Sequence, residues 1–474
     1  MLLGRDAGWL FASMVLLSGC TSIALNAGFD DVKNVVEERS AVKIFWNNGT
    51  DLDKEATEKL RSLLKDKLTA DEAVQIALLN NRELQALYSE LGVAQADLVQ
   101  AGLLRNPVFD AAVMFPTSGG GKPDLELSVV MNFLDIFYVP LRRRVAAARF
   151  DGVKTQVAGS VLDFAATVRT AFFLHQANEQ MLELRQTIVQ ALGASFEVAR
   201  RLHEAGNITD LDFARERALL DSGKLALRAA EVAARQRREE LNILMGLWGK
   251  ETMMWQSEER LPDIPEQPLQ TEDLEQLALT RSMDLLNARQ RIVVAGDQLG
   301  FNRWTALVPE LHTGPLGERE EGSWEVGPTL EFPIPLFDQG QARIGRAVAE
   351  LRRAQQQYYA LGVRVRGTAR AVRDRMEGAR DRALYYRDIL LPLRERIVNE
   401  AQLQYNAMQL GPFQLLRERE QQIEAAVAYI ETLRDYWLAR GEAGQLLSGR
   451  LPGLVSAPMS ASGAQTGASE REGH

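Results

Sequence analysis

The feature that most constrains the fold of this chain is an internal duplication. Residues 68–78 (LTADEAVQIAL) align with 269–279 (LQTEDLEQLAL), and 206–217 (GNITDLDFARER) align with 408–419 (MQLGPFQLLRER). The offset between the copies stays near two hundred residues, which indicates a duplicated domain rather than the short repeats of a solenoid. Residues 261–268 (LPDIPEQP) contain three prolines and are therefore predicted to be a linker between the copies.

Long proline-free stretches follow the strand-like segments in both copies. No proline occurs between Pro140 and Ala205, or between Pro335 and Pro392. A helix of about 65 residues would be ~100 Å long, far more than a globular core of this size needs. Small and apolar residues in the first stretch recur at alternating steps of three and four, which predicts a coiled-coil seam along Met181, Leu184, Ile188, Ala191, Ser195, Val198 and Leu202. Each copy is predicted to contain a helix, two strands, a very long helix, a turn and a second long helix.

The strand-like segments alternate between apolar and polar residues. In residues 125–133 the polar positions include Glu126, and in 324–332 they include Glu325 and Glu331. The partner strands are predicted at 108–115 and 308–315, and the hairpin loops at 116–124 and 315–323. Nine residues is the length that a tilted transmembrane strand needs. A small soluble sheet with one buried face would show the same alternation, so the pattern alone leaves both interpretations open.

The composition limits the partners and the chemistry of the chain. A net charge of −9 and a pI of about 5.3 give no electrostatic support for nucleic-acid binding. One cysteine and four histidines leave little material for disulfides, a metal site or a thiol site. His203-Glu204 begins like a zinc-protease motif, but Asn207 stands where the second histidine is needed. We therefore predict no enzyme activity, no cofactor and no resident metal.

The N-terminus has the features of a secretory signal. Residues 1–20 carry Arg5 near the start, an apolar core from Trp9 to Leu17 and a final LSGC, which resembles the bacterial lipobox. Cys20, the only cysteine, is predicted to be lipidated and to anchor the protein in a membrane. An ordinary secretory signal with a chance cysteine is the alternative. Thr21, which follows the cysteine, favours the outer membrane over the inner one.

These features predict the domain organisation. Residues 1–20 are a lipoprotein signal peptide, and an N-terminal extension occupies 21–67, with a possible strand at 42–46. The first copy is predicted at 68–260, the linker at 261–268 and the second copy at 269–448. A tail at 449–474, rich in serine, alanine and glycine, is predicted to be disordered.

The duplicated order of elements resembles the TolC-like outer-membrane efflux proteins over residues 68–448. The supporting pieces are the duplicated helix starts, Asn106-Pro107 before the first strand and FPIPLFDQG at 332–340 after the last. The resemblance implies a mainly α fold with a small β-barrel portion, in which three chains contribute four transmembrane strands each to a twelve-stranded barrel. Their long coiled-coil hairpins would form a periplasmic α-helical tunnel. The first copy lacks the Pro-Ile-Pro bend of the second, so its strand-to-helix junction is predicted to differ.

The function implied by this resemblance is that of a passive duct in a tripartite efflux system. The chain would form a homotrimer in the outer membrane and export small molecules or ions, with a periplasmic adaptor and an inner-membrane pump below it. A periplasmic coiled-coil adaptor or scaffold lipoprotein is the alternative, because such proteins also have long hairpins. Adaptors, however, usually combine one hairpin with lipoyl-like and barrel domains. Neither the cargo nor the pump follows from the sequence.

The resemblance also assigns roles to particular residues. The turns between the long helices would be the tips that contact the adaptor: Gly206, Asn207, Ile208, Thr209, Gln409, Leu410, Gly411 and Pro412. Tyr405 matches by position the tyrosine of the family's gate, whereas Gln414 and Arg417 stand where the family has an acidic pair. Lumen-facing positions of the barrel would be Glu126, Glu325 and Glu331, which would make it acidic.

Overall fold

The computed structural model describes residues 24–453, except 25, 41, 48–57, 116–122, 259, 268, 270–272, 308–309 and 321–322. The predicted lipidation site Cys20 lies outside the described residues. The chain divides into two compact units, and each unit draws on both predicted copies. Unit 1 comprises the described parts of Met1–Val32, Leu87–Val157 and Leu286–Tyr359. Unit 2 comprises the described parts of Lys33–Ala86, Ala158–Leu285 and Ala360–His474.

The helices and strands follow the predicted order in both copies. Three elements come first: α1 (Phe29–Ser40), a helical segment at 58–63 and β1 (Lys67–Leu68). The first copy continues with α2 (Ala70–Asn80), α3 (Arg82–Ala101), β2 (Val108–Met114), β3 (Asp124–Asn132), α4 (Asp135–Glu204) and α5 (Asp210–Leu244). A 3-10 helix (Gly249–Met253) and β4 (Gln256–Ser257) follow. The second copy contains α6 (Leu274–Arg281), α7 (Met283–Leu307), β5 (His312–Glu320), β6 (Ser323–Glu331), α8 (Gln341–Tyr385), a π-helix (Tyr386–Leu390), α9 (Leu391–Asn406) and α10 (Pro412–Leu447).

Local sequence explains the extent of the long helices. The very long helix of the first copy, α4, has 70 residues: it covers the predicted proline-free stretch and begins five residues earlier, so that Pro140 lies in its second turn. The helical stretch of the second copy continues past Pro392 to the end of α9. Because Pro392 has no N–H to donate, the helix loses a hydrogen bond there, and the π-helix directly precedes this position.

The strand-to-helix junctions of the two copies differ, as predicted. In the first copy α4 begins at Asp135, three residues after β3 ends. In the second copy nine residues of irregular chain, 332–340, separate β6 from α8. Prolines at 333 and 335 fix the backbone in extended conformations, which delays the start of the helix.

Four strands form one antiparallel sheet in the order β2-β3-β5-β6. The predicted loop at 315–323 is wrong, because 315–320 belong to β5, which begins at His312 rather than near 308. The pairing of β3 with β5 is interrupted at Gly314 and Pro315. Proline has no N–H for the ladder, and a Cβ atom at Gly314 would overlap the carbonyl oxygen of Val129. The turn-forming composition of this strand therefore marks a local distortion, not a loop.

Two expectations for the terminal segments need correction. Residues 42–46 are not a strand: the side-chain amide of Gln75 donates to the carbonyl of Lys43 (2.9 Å), and that of Gln85 donates to the carbonyl of Phe45 (3.0 Å). These helix side chains replace the partner strand that a ladder needs. The predicted disordered tail begins too early, because residues 449–453 belong to the fold; residues 454–474 lie outside the described part.

The C-terminal residues of the fold carry a buried ion cluster in unit 2. Arg450 is only 2% exposed and forms ion pairs with Asp163 of α4 and Asp284 of α7. The Nε atom of Arg450 donates to Asp163 at 3.0 Å, and the backbone N–H of Leu451 donates to Asp284 at 2.9 Å. Gly159 leaves room for the guanidinium, since a Cβ atom there would lie 2.7 Å from Nη1 of Arg450. Three segments far apart in sequence are thereby joined at one point.

One described helix, α4, is apolar enough over 18 residues to cross a membrane by length and composition, with a mean hydropathy of 1.4. Within that window, 56% is buried in the structure. Buried core helices have the same composition, so we assign no membrane span to it.

Candidate functional site

The register of the sheet brings acidic residues together on one face. Glu126 of β3 pairs with Glu318 of β5, which in turn pairs with Glu325 of β6, so three carboxylates form a row across three neighbouring strands. Strand alternation places further acidic residues on the same face: Asp110, Asp124, Glu320 and Glu331. The described strands place no lysine or arginine on this face. Like charges at directly opposed positions destabilise a sheet, so folding stability does not explain the row.

The opposite face of the sheet is mostly apolar, with one charged residue, Arg319, which pairs with Leu125 and Trp324 at the hairpin end. It carries Phe109, Val113, Leu125, Leu127, Val129, Met131, Trp324, Val326 and Leu330. Several of these side chains are exposed, among them Phe109, Val113, Val326 and Leu330. One acidic face and one exposed apolar face are the pattern of a strand that separates lipid from water.

The structure places Glu126, Glu325 and Glu331 on one face, as the alternation predicted, and adds residues that the sequence analysis missed. Glu318 was assigned to a loop, because Pro315 and two glycines suggested a turn. Asp110 lies on β2, whose two-residue alternation is blurred by Ala111 and Ala112. Glu318 could have been identified from its position relative to Glu325. If Glu320 pairs with Ser323, the register of the hairpin puts Glu318 opposite Glu325.

The predicted tip of the first hairpin is a tight turn between α4 and α5. Gly206 has a φ of +73°, and the N–H of Asn207 donates to the carbonyl of Leu202 at 2.8 Å, which closes the end of α4. Thr209 is the N-cap of α5, and its side chain accepts from the N–H of Asp212. Ile208 lies between these two caps. The turn is thus fixed from both sides.

The tip of the second hairpin repeats this geometry with different residues. Met408 has a φ of +60°, the only positive value of a non-glycine residue in the part of the chain that the structure describes. The N–H of Gln409 donates to the carbonyl of Gln404 at 2.9 Å, as Asn207 does in the first tip. Gly411 is the N-cap of α10, with Pro412 in the first helical turn. Met408 is almost fully exposed, so its side chain makes no packing contacts that would offset the strain of its left-handed backbone conformation.

Replacing Met408 with glycine is expected to stabilise the second tip by about 1 kcal/mol, because the left-handed conformation costs an L-residue roughly that much. Slower amide hydrogen exchange at residues 404–412 would show it. Gly206→Ala is the matched change in the first tip and is expected to speed exchange there by a similar factor. Faster exchange in the Met408→Gly variant would contradict this account.

Tyr405, the predicted gate residue, lines a cavity of about 270 Å³ between the two hairpins near their tips. Residues of the predicted seam on α4 form one wall, among them Ser195 and Val198. The second hairpin contributes Tyr405 and Arg419, and Nη2 of Arg419 donates to Gln402 at 2.8 Å. Both hairpins therefore meet at this cavity, within unit 2.

Glu216 is a buried acidic residue in the same cavity that the sequence analysis missed. It is 6% exposed, and its carboxylate accepts a hydrogen bond from Ser195 at 3.3 Å. Burial raises the pKa of Glu216, and the hydrogen bond from Ser195 opposes this. Its equivalent in the second copy, Glu418, is less buried and pairs with Arg394 at 3.7 Å. Glu216 forms no ion pair with any described residue.

Replacing Glu216 with glutamine is expected to raise the thermal unfolding midpoint at pH 7.5, because the buried charge is removed while the Ser195 contact can remain. Glu216 has a higher pKa in the folded state than its ordinary value of 4.5. The ionised carboxylate therefore destabilises the folded state once the pH rises above 4.5. The gain should therefore shrink as the pH falls toward 4.5. Glu418→Gln is the control and should give no gain, since it breaks an ion pair. If the effect of Glu216→Gln on the unfolding midpoint did not depend on pH, Glu216 would not be a carboxyl whose pKa is raised by burial.

Comparisons with known proteins identify the fold. No protein-family model matches the sequence. The chain is 21% identical over 388 residues to the cobalt-zinc-cadmium resistance protein CzcC of Cupriavidus metallidurans, a match that covers 77% of this chain and 86% of CzcC. It resembles the CmeC outer membrane channel of Campylobacter jejuni with a TM-score of 0.63 at 15% identity, over 87% of this chain and 91% of CmeC. It resembles the outer membrane protein VceC of Vibrio cholerae with a TM-score of 0.61 at 15% identity, over 80% of this chain and 94% of VceC.

The chain thus has the fold of the outer-membrane channels. The predicted resemblance to the TolC-like efflux proteins is confirmed, as is the mainly helical fold class with a few strands. The likeness extends over most of the chain, strands and hairpins included, so the shared fold is not limited to the long helical hairpins.

Proposed function

We propose that this chain is the outer-membrane channel subunit of a tripartite efflux system and acts as a passive duct. The observation that carries the proposal is the four-stranded sheet with one apolar and one acidic face, joined to two long helical hairpins. Four strands leave two open edges, β2 and β6, whose backbone groups need partners in a membrane. Three copies, with twelve strands, would close these edges and enclose the acidic faces.

Fractionation and gel migration test the proposal directly. The full chain, expressed in a Gram-negative host, should be found in the outer-membrane fraction and migrate on gels as a trimer that dissociates only on heating. Its circular dichroism in detergent should contain a strand signal besides the helical one. A chain that stays soluble and purely helical after removal of the lipid would refute the channel and favour the scaffold.

The remaining site assignments are part of this proposal. Lipidation at Cys20 would add an anchor to the strands, at about 0.8 kcal/mol per buried CH₂ group. The tips at 206–209 and 409–412 would contact the periplasmic adaptor, which in turn binds the inner-membrane pump. Tyr405 would act in the gate, which its position on the cavity between the hairpins supports. Glu126, Glu325 and Glu331 would face the lumen.

Cations are the cargo that the acidic face favours. A row of three carboxylates with no lysine or arginine on its face attracts cations and repels anions in a narrow water-filled pore. The name of the relative CzcC refers to resistance to cobalt, zinc and cadmium, which agrees with this. Among the described residues no group of three or more His, Cys, Asp or Glu side chains could hold a metal ion. The face would therefore conduct cations rather than bind one tightly.

Neutralising the row is expected to weaken cation preference. In the variant Glu126→Gln/Glu318→Gln/Glu325→Gln, the ratio of potassium to chloride permeability should fall by roughly threefold, because charge in the lumen sets the local ion concentrations. Reversal potentials across a planar bilayer in a salt gradient measure this ratio. The control Glu38→Gln/Glu83→Gln/Glu90→Gln removes as much charge from helix surfaces and should leave the ratio unchanged. Equal effects of both variants would rule out the row as the source of selectivity.

A further inference from the structure

Exposed apolar side chains surround the ends of the strands where the helices begin. In unit 1 they include Phe133, Phe137, Trp304, Phe332, Ile334 and Phe337. Phe133 and Phe332 continue the apolar face of the sheet, and Phe137, Ile334 and Phe337 follow within five positions. Trp304 lies near the end of α7, eight residues before β5. Aromatic side chains gather at the boundary between hydrocarbon and headgroups in membrane proteins. Under the proposed function, this is the periplasmic end of the membrane-spanning strands.

Arginines are concentrated directly beyond this apolar zone. The segments 101–107, 133–149, 298–311 and 332–353 contain ten arginines, no lysine and four acidic residues, although the whole chain has a net charge of −9. One of the four acids, Asp135, is buried between Arg105 and Arg142, at 3.6 and 3.5 Å. These segments are therefore strongly basic in an acidic protein.

Six of these arginines are exposed and form no ion pair with any residue that the structure describes: Arg143, Arg149, Arg303, Arg343, Arg352 and Arg353. Of these six, Arg143, Arg303 and Arg343 lie nearest to the helix ends that adjoin the strands. Arg143 lies eight residues into α4, Arg343 two residues into α8, and Arg303 four residues before the end of α7. At 1.5 Å per residue, each lies within about 12 Å of its helix end. A headgroup layer is about 5–8 Å thick, and arginine side chains extend along apolar surfaces to reach it.

Arginine is the main cation of the whole chain, with 45 arginines and 10 lysines, so what distinguishes these segments is their positive charge next to the apolar zone. A guanidinium group donates two parallel hydrogen bonds to a phosphate, whereas an ammonium group acts as a point charge. Membrane lipids present their phosphate groups in a plane. Under the proposed function, that plane borders the apolar zone, where these arginines lie.

We propose that Arg143, Arg303 and Arg343 bind the headgroups of anionic phospholipids in the periplasmic leaflet of the outer membrane. This inference rests on the proposed function, because it needs the strands to cross that membrane. The three side chains would fix the depth at which the strands sit and would hold a ring of phosphatidylglycerol around the channel. Lipid A is the other source of lipid phosphate, but it would meet the hairpin ends of the strands rather than the helix ends.

Lipid binding by the full chain in detergent tests this inference. Fluorescent phosphatidylglycerol is titrated into the purified protein, and its affinity is compared with those of phosphatidylcholine and lipid A. The variant Arg143→Gln/Arg303→Gln/Arg343→Gln should bind phosphatidylglycerol more weakly by about fivefold for each arginine, or of the order of 100-fold in all. Phosphatidylcholine binding should not change. High salt should weaken only the wild type.

The matched control removes three exposed arginines that also lack ion pairs with described residues but lie far from the strand ends: Arg364→Gln/Arg382→Gln/Arg396→Gln. It should bind phosphatidylglycerol within about twofold of the wild type, the difference expected for charges beyond the screening length. A triple lysine variant at 143, 303 and 343 keeps the charge and should be intermediate.

Three results would overturn the inference: equal losses in the test and control variants, no preference of the wild type for phosphatidylglycerol, or stronger binding of lipid A. Heat-modifiable migration of each variant shows that it is folded. Because binding is measured in detergent, its failure is distinct from a failure to conduct ions, which would overturn the proposed function instead.

Discussion

Arg450→Met is expected to lower the free energy of unfolding of unit 2 by about 3 kcal/mol, because it leaves two partly buried carboxylates, 23% and 9% exposed, without their counter-charge. Asp284 is the more buried of the two, and burial already raises its pKa although Arg450 opposes this. Thermal unfolding in detergent measures the loss as a fall in midpoint. In the variant, the defect should diminish at acidic pH, where protonation removes the buried negative charge.

Arg375→Met is the control for this prediction. Arg375 pairs with Glu442 on the surface, with about half of its side chain exposed, and such pairs contribute about 0–1 kcal/mol. Asp163→Asn/Asp284→Asn in the Arg450→Met background should recover part of the stability, since no buried charge then remains. An Arg450→Met protein as stable as the Arg375→Met protein would show that the cluster does not hold the C-terminal end of the fold.

Gly314→Ala is expected to disrupt the sheet and to abolish heat-modifiable assembly. A Cβ atom at this position would overlap the carbonyl oxygen of Val129, a backbone atom of the neighbouring strand that cannot rotate away. The strands β3 and β5 must therefore separate there, and the ladder on both sides of the existing interruption is lost. Gel migration of boiled and unboiled samples measures the assembly.

Gly327→Ala is the matched change in the adjacent strand β6. A Cβ atom at Gly327 meets nothing within 4 Å, so this variant should assemble as the wild type does. Alanine also has a lower conformational entropy in the unfolded chain than glycine, which favours the folded state slightly. If Gly314→Ala assembled normally, the close approach of β3 and β5 would not be a feature of the protein.

The long elements were predictable from the sequence because they depend on local properties. The absence of proline after Pro140 allowed most of α4 to be predicted as one helix, and the two-residue period of 125–133 gave the correct faces of β3. The internal duplication predicted that both tips would have related turns, and Gly206 and Met408 do share the left-handed conformation. The likeness to the fold of outer-membrane channels covers most of the chain.

The residues that were missed depend on contacts between segments far apart in sequence. Glu216 lies in an Arg-Glu-Arg sequence that suggests a solvated helix face, and it is buried because the second hairpin packs nearby. Arg450 lies at the start of a segment of low complexity, and it is buried because Asp163 and Asp284 converge there. Glu318 was assigned to a loop because Pro315 and its neighbouring glycines are turn formers, but in this strand they accommodate a distortion.

Conductance across a planar lipid bilayer tests the central claim most directly. The purified full-length chain, added to one side, is predicted to insert and to produce discrete current steps of uniform size. The reversal potential in a potassium chloride gradient should show a preference for cations, and the preference should decline when Glu126, Glu318 and Glu325 are neutralised. A folded protein that never produces discrete steps, or a pore that prefers anions, would contradict the proposal that the acidic face of the sheet lines an outer-membrane duct.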